Sequence, residues 1–405
     1  MAKLAIGTVV AKNYLPFARV LAESLRRYHP EIPFFVALAD EVNGYFDPTA
    51  EPFHTVTLAD LGIPELKRFT FHYSRQPLVV ATKSYLLSYL LDRGFETAIF
   101  LDADILVLGN LDALFAIARA HAILLTPHLL APLTGDDRSP RELNILLAGT
   151  YNGGFLTVSD TAPARAFLDW WQDRLYDHCL HALDRGMHYD QHWLDFVPVY
   201  FNGVHILRDP TYNVAYWSLP ERNPYLPEDQ SALPQPCRFF HFSGFDPEQP
   251  PAVTRYSPRL TMANVGPAVS LFDRYANLLK AAGFYVCKHW PSAYGFFDNG
   301  VAIPQIARRI YRNLGDSVAR FGDPFDAGGS DSFFRWLNYP IDTGAHPSLT
   351  VTNLWKVIYD QRRDVQIAFP NVLTDHRAAF VNWAGSSGVK EMSVPRDFVP
   401  PEWKL

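Results

Sequence analysis

"FLDADILVLGNL", residues 100–111, decides how this chain is read. Asp102 and Asp104 stand among Ile99, Phe100, Leu101, Ile105, Leu106, Val107 and Leu108, a run that reads as buried strand. An ionised carboxylate in such a place is costly unless a positive partner compensates it. Two carboxylates converging on one spot also repel each other. A divalent cation relieves both problems, and hard oxygen ligands select Mg2+ or Mn2+, ions that keep open positions for substrate phosphates. The plainer alternative is a solvated turn whose aspartates cap the helix after Asn110.

Strands and helices alternate on both sides of this stretch. "KLAIGTVV" reads as a buried strand, followed by Phe17, Val20, Leu21, Leu25 and Tyr28 at helical spacing up to Pro30. "FFVALAD" is a second strand ending at Asp40, and "TKSYLLSYLLDRG" a helix stopped at Gly94. "TAIFL" runs straight into Asp102, and "AILLTPH" is a fourth strand. This alternation implies a mainly parallel sheet with right-handed crossovers, and ligands then bind outside the carboxyl ends of the strands. Asp102 and Asp104 fall there. Further on, Ser139 and Glu142 have capping-box spacing, and "YNGGFLTVSD" reads as a glycine turn entering a strand. "TAPARAFLDWWQDRLYDHCLHAL" reads as a long helix and "YDQHWLDF" as a short one. "CRFFHFSGFDPEQPPAV" is a strand leading to a Pro-rich loop, which places a domain boundary near residue 250. The expected division is 1–250 and a mostly helical 251–405.

At 405 residues the chain is long for one simple core. Aromatics make up 14%, many beside Pro and Gly, which suits flat ligands such as sugars and bases. A net charge of −6 with no long basic tract argues against nucleic acid. Cys179, Cys237 and Cys287 are sparse and odd in number, which fits a reducing compartment rather than a disulfide framework. With no signal-peptide features and no apolar run of spanning length, the expected location is cytoplasmic, with peripheral contact at the inner face of a membrane.

As a whole the sequence resembles nucleotide-sugar glycosyltransferases of the GT-A fold, of the glycogenin and lipopolysaccharide galactosyltransferase type (glycosyltransferase family 8). "AIGTVVAKNYLPFARVLAESL", "TKSYLLSYLLDRGFETAIFLDADILVLGNLDALF", "YNGGFLTVSD", "YDQHWLDF" and "FFHFSGFD" carry the resemblance across roughly residues 3–247. "YGFFDNGVAIPQIARRIYR" and "WKVIYDQRRDVQIAFP" look more loosely like segments appended to bacterial polysaccharide glycosyltransferases. The resemblance implies a Rossmann-like α/β sheet flanked by helices, followed by a helical C-terminal domain. It also implies transfer of a sugar from a nucleotide-diphosphate sugar, UDP-sugar favoured, to a glycan, lipid-linked or protein acceptor, with retention. Polysaccharide biosynthesis is the process that this suggests.

Carried over by position, Asp102, Asp104 and His241 would hold Mn2+ or Mg2+, a neutral imidazole being an acceptable ligand. Thr8, Val9, Tyr14, Asp40, Lys83, Asp102, Ala103, Asn152, Gly153, Gly154 and Gly244 would contact the donor. Tyr14 would stack on the base or else staple the following helix. Asp190 and Gln191 would flank the anomeric carbon or else cap "HWLDF". An inverting reaction would need a carboxylate base, Asp190 or Asp195; a retaining one suits Gln191. His178, His181, His188 and His192 read as surface or acceptor-site residues. One departure is clear: the lysine that grips the diphosphate after "H-x-x-G" in the family is absent, Pro247 standing nearby, and Arg255 and Arg259 are the substitutes at hand.

Two other readings compete. A nucleotidyltransferase needs a Gly-rich basic loop after the first strand, and "GTVVAKNYLP" offers one Gly and one Lys. A passive nucleotide- or glycan-binding protein has no need of both aspartates and His241. In the C-terminal part, Ile303, Ile306, Ile310 and Leu314 form a stripe beside Arg308, Arg309 and Arg312, which reads as a helix either lying on an anionic membrane or packed on the catalytic domain with its arginines in solvent. Oligomeric state is not legible.

Overall fold

The computed structural model describes residues 3–219, 237–249, 251–341 and 349–403. Seven strands form the main sheet: β1 (Leu4–Val10), β2 (Phe34–Leu38), β3 (His54–Thr57), β4 (Thr97–Leu101), β6 (Ile123–Pro127), β7 (Tyr151–Ser159) and β10 (Val204–Ile206). Their order is β10-β6-β7-β4-β1-β2-β3. All neighbours are parallel except β7, which runs antiparallel between β4 and β6. β1, β2, β4 and β6 are buried along their whole length, which is why each reads as a continuous apolar run rather than an alternating one. A second sheet joins β5 (Ile105–Val107), β11 (Val214–Ala215) and β12 (Phe239–His241), and a small hairpin pairs β8 (His181–Ala182) with β9 (Met187–His188). The helix Leu15–Tyr28 covers the sheet with Phe17, Val20, Leu21 and Leu25, and the helix Lys83–Asp92 buries Leu86, Leu87, Leu90 and Leu91.

Several local expectations differ from the structure. "YNGG" is not a turn but the interior of β7. Ser139 and Glu142 form no capping box: the helix Arg138–Ala148 starts after Asp137, and Glu142 instead accepts from the Leu133 N–H at 2.8 Å. The long helix ends at His178 rather than running on through "CLHAL".

The chain divides into two compact units, residues 1–63 with 76–292, and residues 64–75 with 293–405. The boundary expected at 250 is therefore displaced by some forty residues. After the Pro-rich loop the helix Val269–Ala281 packs Leu271, Phe272, Tyr275 and Leu279 into the first unit's core, against Phe240 and Phe242. The second unit recruits a segment from far upstream, the helix Leu66–His72, because its core needs Phe71, which packs on Phe297, Tyr311 and Phe333. The stripe of Ile303, Ile306 and Ile310 lies in that core. Arg308 is buried and donates to the carbonyls of Phe71 at 2.8 Å and Tyr294 at 2.5 Å, and Arg312 donates to that of His72. The stripe thus packs into its own unit's core, and two of its arginines, expected in solvent, instead satisfy the orphan carbonyls at the end of the helix Leu66–His72. No helix among the described residues is long and apolar enough to cross a membrane.

Candidate active site

The carboxylate pair occupies a tight turn rather than a strand face. The Asp102 N–H donates to the Gly154 carbonyl at 2.7 Å, and the Ile105 N–H closes the turn onto the Asp102 carbonyl at 3.1 Å. The chain then enters β5, which pairs antiparallel with β12 so that Ile105 faces His241. That register brings a residue 137 positions further on beside the aspartates. His241 Nε2 lies 3.1 Å from Asp104 Oδ1 and 3.8 Å from Asp102 Oδ2. On the opposite side, Lys83 Nζ stands 3.0 Å from Asp102 Oδ1 and 3.3 Å from Asp190 Oδ2, and donates to the Gly153 carbonyl at 2.9 Å. Lys83 and His241 are thus the positive partners that "FLDADILVLGNL" demands.

These groups titrate as one cluster. Burial pushes the Asp102 carboxyl above its ordinary value, with Asp104 adding to the effect and Lys83 opposing it. Burial would also raise Asp104, but adjacent His241 outweighs it and holds that carboxyl below the usual range. Burial would lower Lys83, but Asp102 and Asp190 together hold its ammonium above the ordinary lysine value. The Lys83 and Asp190 side chains are each only 4% exposed, whereas Asp102 is 30% and Asp104 21% exposed, so the carboxylate pair faces the solvent-accessible side.

The cluster fits a divalent cation. One ligand atom from each of Asp102, Asp104 and His241 lies within 4.8 Å of the others. His241 Nδ1 is engaged with Asn213 Oδ1 at 3.2 Å, an outer hydrogen bond of the kind that orients ligand histidines. Space around the cluster is kept open by missing side chains. A Cβ on Gly154 would stand 2.3 Å from His241 Cε1 and 2.8 Å from Asp102 Oδ2, and one on Gly153 would stand 2.5 Å from Asp190 Oδ2. Both glycines are required by close approach rather than by turn geometry.

A cavity of about 560 Å³ opens beside the cluster. Lys83, Asp102, Asn152, Asp190, Gln191 and His241 reach its wall, together with Tyr216, Trp217 and Tyr256. Gln191 is held on all sides: its Oε1 accepts from Asn152 Nδ2 at 3.0 Å and the Gly153 N–H at 3.1 Å, and its Nε2 donates to the Ala148 carbonyl at 3.0 Å. Asp190 precedes the helix Gln191–Leu194 but its side chain makes no capping bond, so the cap alternative is not realised. Of the four histidines read as surface or acceptor-site residues, His181 and His188 line the cavity.

The other expected donor contacts lie at the strand ends but not on this cavity's wall. Thr8 and Val9 are buried in β1. Tyr14 stands at the N-cap of the helix Leu15–Tyr28 and stacks on Phe17, ring centroids 4.4 Å apart, and burial and Asp104 push its hydroxyl up to about 12. Asp40 is bound to Lys12 Nζ at 3.0 Å, both side chains buried, so it is neutralised by a lysine that the sequence reading did not single out. Ala103 is buried in the Asp102–Asp104 turn, and Gly244, at φ +71°, accepts from the Arg255 N–H. Arg255 donates to the Tyr256 hydroxyl at 2.8 Å, while Arg259 lines the cavity within 3.7 Å of Asp137.

Sequence reading missed Asn213, His128 and Trp217. His128 directly follows β6 at the same carboxyl edge as Asp102 and was within reach of the strand-end rule. Asn213 sits in no motif; its signal is the φ of +51°, which only the structure reveals.

The profile of glycosyl transferase family 8 matches residues 6–245. Among curated proteins, the uncharacterised YfnF of Bacillus subtilis (strain 168) is 22% identical over 244 residues, 59% of this chain and 80% of its own length. Its companion YfnD from the same strain is 22% identical over 254 residues, 60% of this chain and 79% of its own. Among solved structures, the galactosyltransferase LgtC, in complex with donor and acceptor sugar analogues, aligns with TM-score 0.42 and 17% identity over 68% of this chain and 95% of its own. The glycosyltransferase GlyE of Streptococcus pneumoniae TIGR4 aligns with TM-score 0.41 and 13% identity over 73% of this chain and 67% of its own. With more than half of its length matched by the family profile, the chain belongs to glycosyl transferase family 8 and is a glycosyltransferase on a GT-A-type α/β sheet.

Proposed function

We propose that the protein transfers a sugar from a nucleotide-diphosphate sugar, with UDP the favoured nucleotide, to a glycan hydroxyl, using Mn2+ or Mg2+ held by Asp102, Asp104 and His241. The observation that carries this reading is that the three-ligand cluster, through Asp102 and His241, meets Asp190 and Gln191 across one cavity. A bound divalent ion supplies neutralisation of the diphosphate charge as the anomeric bond breaks. The residues do the positioning. Tyr216, Trp217 and Tyr256 offer flat faces to sugar rings. The proposed role of Lys83 is to hold Asp102 and Asp190 in fixed relation while remaining charged.

Retention is supported by the state of the candidate bases. Asp190 is engaged by the Lys83 ammonium, with Oδ2 3.3 Å from Nζ. Asp195 is committed to the Thr150 N–H at 2.9 Å and does not line the cavity. Neither is poised to deprotonate an acceptor, whereas Gln191 is rigidly presented to the cavity.

Nucleotide sugars are screened for Mn2+-dependent thermal stabilisation and slow hydrolysis. At least one donor should pass both tests, and Asp104→Asn should abolish both. Full activity in chelator, or undiminished turnover in that variant, removes the cation from the mechanism.

A further inference from the structure

We infer that Asn213 is a positioning residue: it fixes the tautomer in which His241 offers Nε2 to the cation, and it ties His241 to Gln191. The inference rests on the cation reading of Asp102, Asp104 and His241.

A chain of side-chain amides links Gln191 to His241, and backbone groups dictate its polarity. The Gly153 N–H can only donate, and it meets Gln191 Oε1 at 3.1 Å; the Ala148 carbonyl can only accept, and it meets Gln191 Nε2 at 3.0 Å. Both ends fix Gln191 the same way round. Asn152 Nδ2 therefore donates to Gln191 Oε1 at 3.0 Å, and the Gly154 N–H independently fixes Asn152 Oδ1 as the acceptor end at 3.1 Å. Asn213 Nδ2 must then donate to Asn152 Oδ1 at 3.1 Å, which leaves Asn213 Oδ1 facing His241 Nδ1 at 3.2 Å. An amide oxygen only accepts, so His241 holds a proton on Nδ1 in either charge state and turns Nε2, the nitrogen that a bound cation needs unprotonated, toward Asp104 and Asp102.

A side branch agrees. His128 Nδ1 faces the Thr150 carbonyl at 3.2 Å and so holds a proton, leaving Nε2 to accept from Asn152 Nδ2 at 3.2 Å. Burial pushes the His128 imidazole down to about 4, which preserves that acceptor at neutral pH.

Asn213 is placed for this work. It is 1% exposed and immediately precedes β11, whose Ala215 pairs with His241. Its φ of +51° is a left-handed conformation that asparagine tolerates better than most residues.

The test is Mn2+ affinity of the metal-free protein, read by electron paramagnetic resonance of free Mn2+ without donor. Asn213→Gly keeps the left-handed backbone and removes the amide. It should bind Mn2+ about 10- to 100-fold more weakly than wild type, the usual cost of losing a ligand's outer partner. Asn213→Asp keeps an acceptor for Nδ1–H but cannot donate to Asn152. It should hold Mn2+ near the wild-type affinity while turnover falls about tenfold or more as Gln191 loses its anchor. If Asn213→Gly binds as tightly as a Mn2+-binding wild type, or Asn213→Asp loses as much affinity as Asn213→Gly, this inference is overturned while the cation reading stands. A wild type that binds no Mn2+ overturns both. A measurement without mutation covers the case of misfolded variants: 15N spectra of the Mg2+-loaded wild type should show His241 protonated at Nδ1, and protonation at Nε2 refutes the assignment.

Discussion

Asp190 is held by Lys83, its Oδ2 3.3 Å from an ammonium that is itself almost sealed from solvent. The same ammonium stands 3.0 Å from Asp102, so one cation serves a carboxylate of the proposed metal site and another beside the proposed reacting centre. Replacing it by Lys83→Met strips Asp190 of this partner and leaves Asp102 with His241 alone, at 3.8 Å. Because Asp102 is 30% exposed, solvent screens part of that cost, and the loss of stability is expected to be about 3 kcal/mol. Adding Asp190→Asn to Lys83→Met should recover much of it. Urea denaturation of the metal-free proteins checks this; equal stability of wild type and Lys83→Met shows that the ammonium compensates nothing.

Asp190→Asn by itself separates chemistry from binding. In its proposed place Asp190 acts mainly as an electrostatic group in the transition state, so donor and Mn2+ affinity should stay near wild type while kcat falls at least ~100-fold. No helix cap is lost, since the side chain makes no capping bond. A variant with normal kcat removes Asp190 from the reaction.

What the sequence discloses of this site follows chain distance. The apolar strand before Asp102 and the carboxylate pair are legible locally, as are the strands "TAIFL" and "AILLTPH", because fully buried parallel strands leave unbroken apolar runs. His241 is reachable through the family resemblance, but no local pattern says that β12 pairs with β5. Asn213 and Lys12 are invisible for the same reason: their roles come from partners 28 residues away in each case, His241 and Asp40. A Pro-rich loop looks like a linker, which is why the expected boundary falls near 250 while the compact units divide after 292. The helix Val269–Ala281, whose apolar face completes the first core, lies beyond that loop.

His128 gives a pH signature. Burial holds its folded-state value at about 4, against 6.5 for the ordinary side chain. Between those values the unfolded chain binds a proton that the folded chain refuses, so stability rises with pH through the window. The contribution is complete above about pH 6.5 and is lost as pH falls to about 4, a span of about 3 kcal/mol. Other groups titrate in that range, so the quantity to measure is the difference between wild type and His128→Gln. That difference should change with pH over this window and flatten outside it. A pH-independent difference means that the folded protein leaves His128 at its ordinary value and refutes the burial effect.

Arg308 decides how the C-terminal arginines are used. Its guanidinium is buried; burial and then Arg312 push it down to about 9, which still leaves it charged at neutral pH. It donates to the carbonyls of Phe71 and Tyr294 and lies over the Phe71 ring, with 5.5 Å between guanidinium carbon and ring centroid. Arg308→Met would keep the aliphatic stem but orphan these carbonyls, an expected loss of about 3 kcal/mol from unit 2. Exposed Arg309 would be untouched, so any electrostatic attraction of this helix to anionic vesicles should survive the change. The two measurements to set side by side are the denaturation midpoint and salt-sensitive flotation with anionic liposomes. A lowered midpoint with unchanged flotation is the outcome that an inward capping role requires. An unchanged midpoint with lost flotation would instead make Arg308 a surface group and return the helix to the membrane.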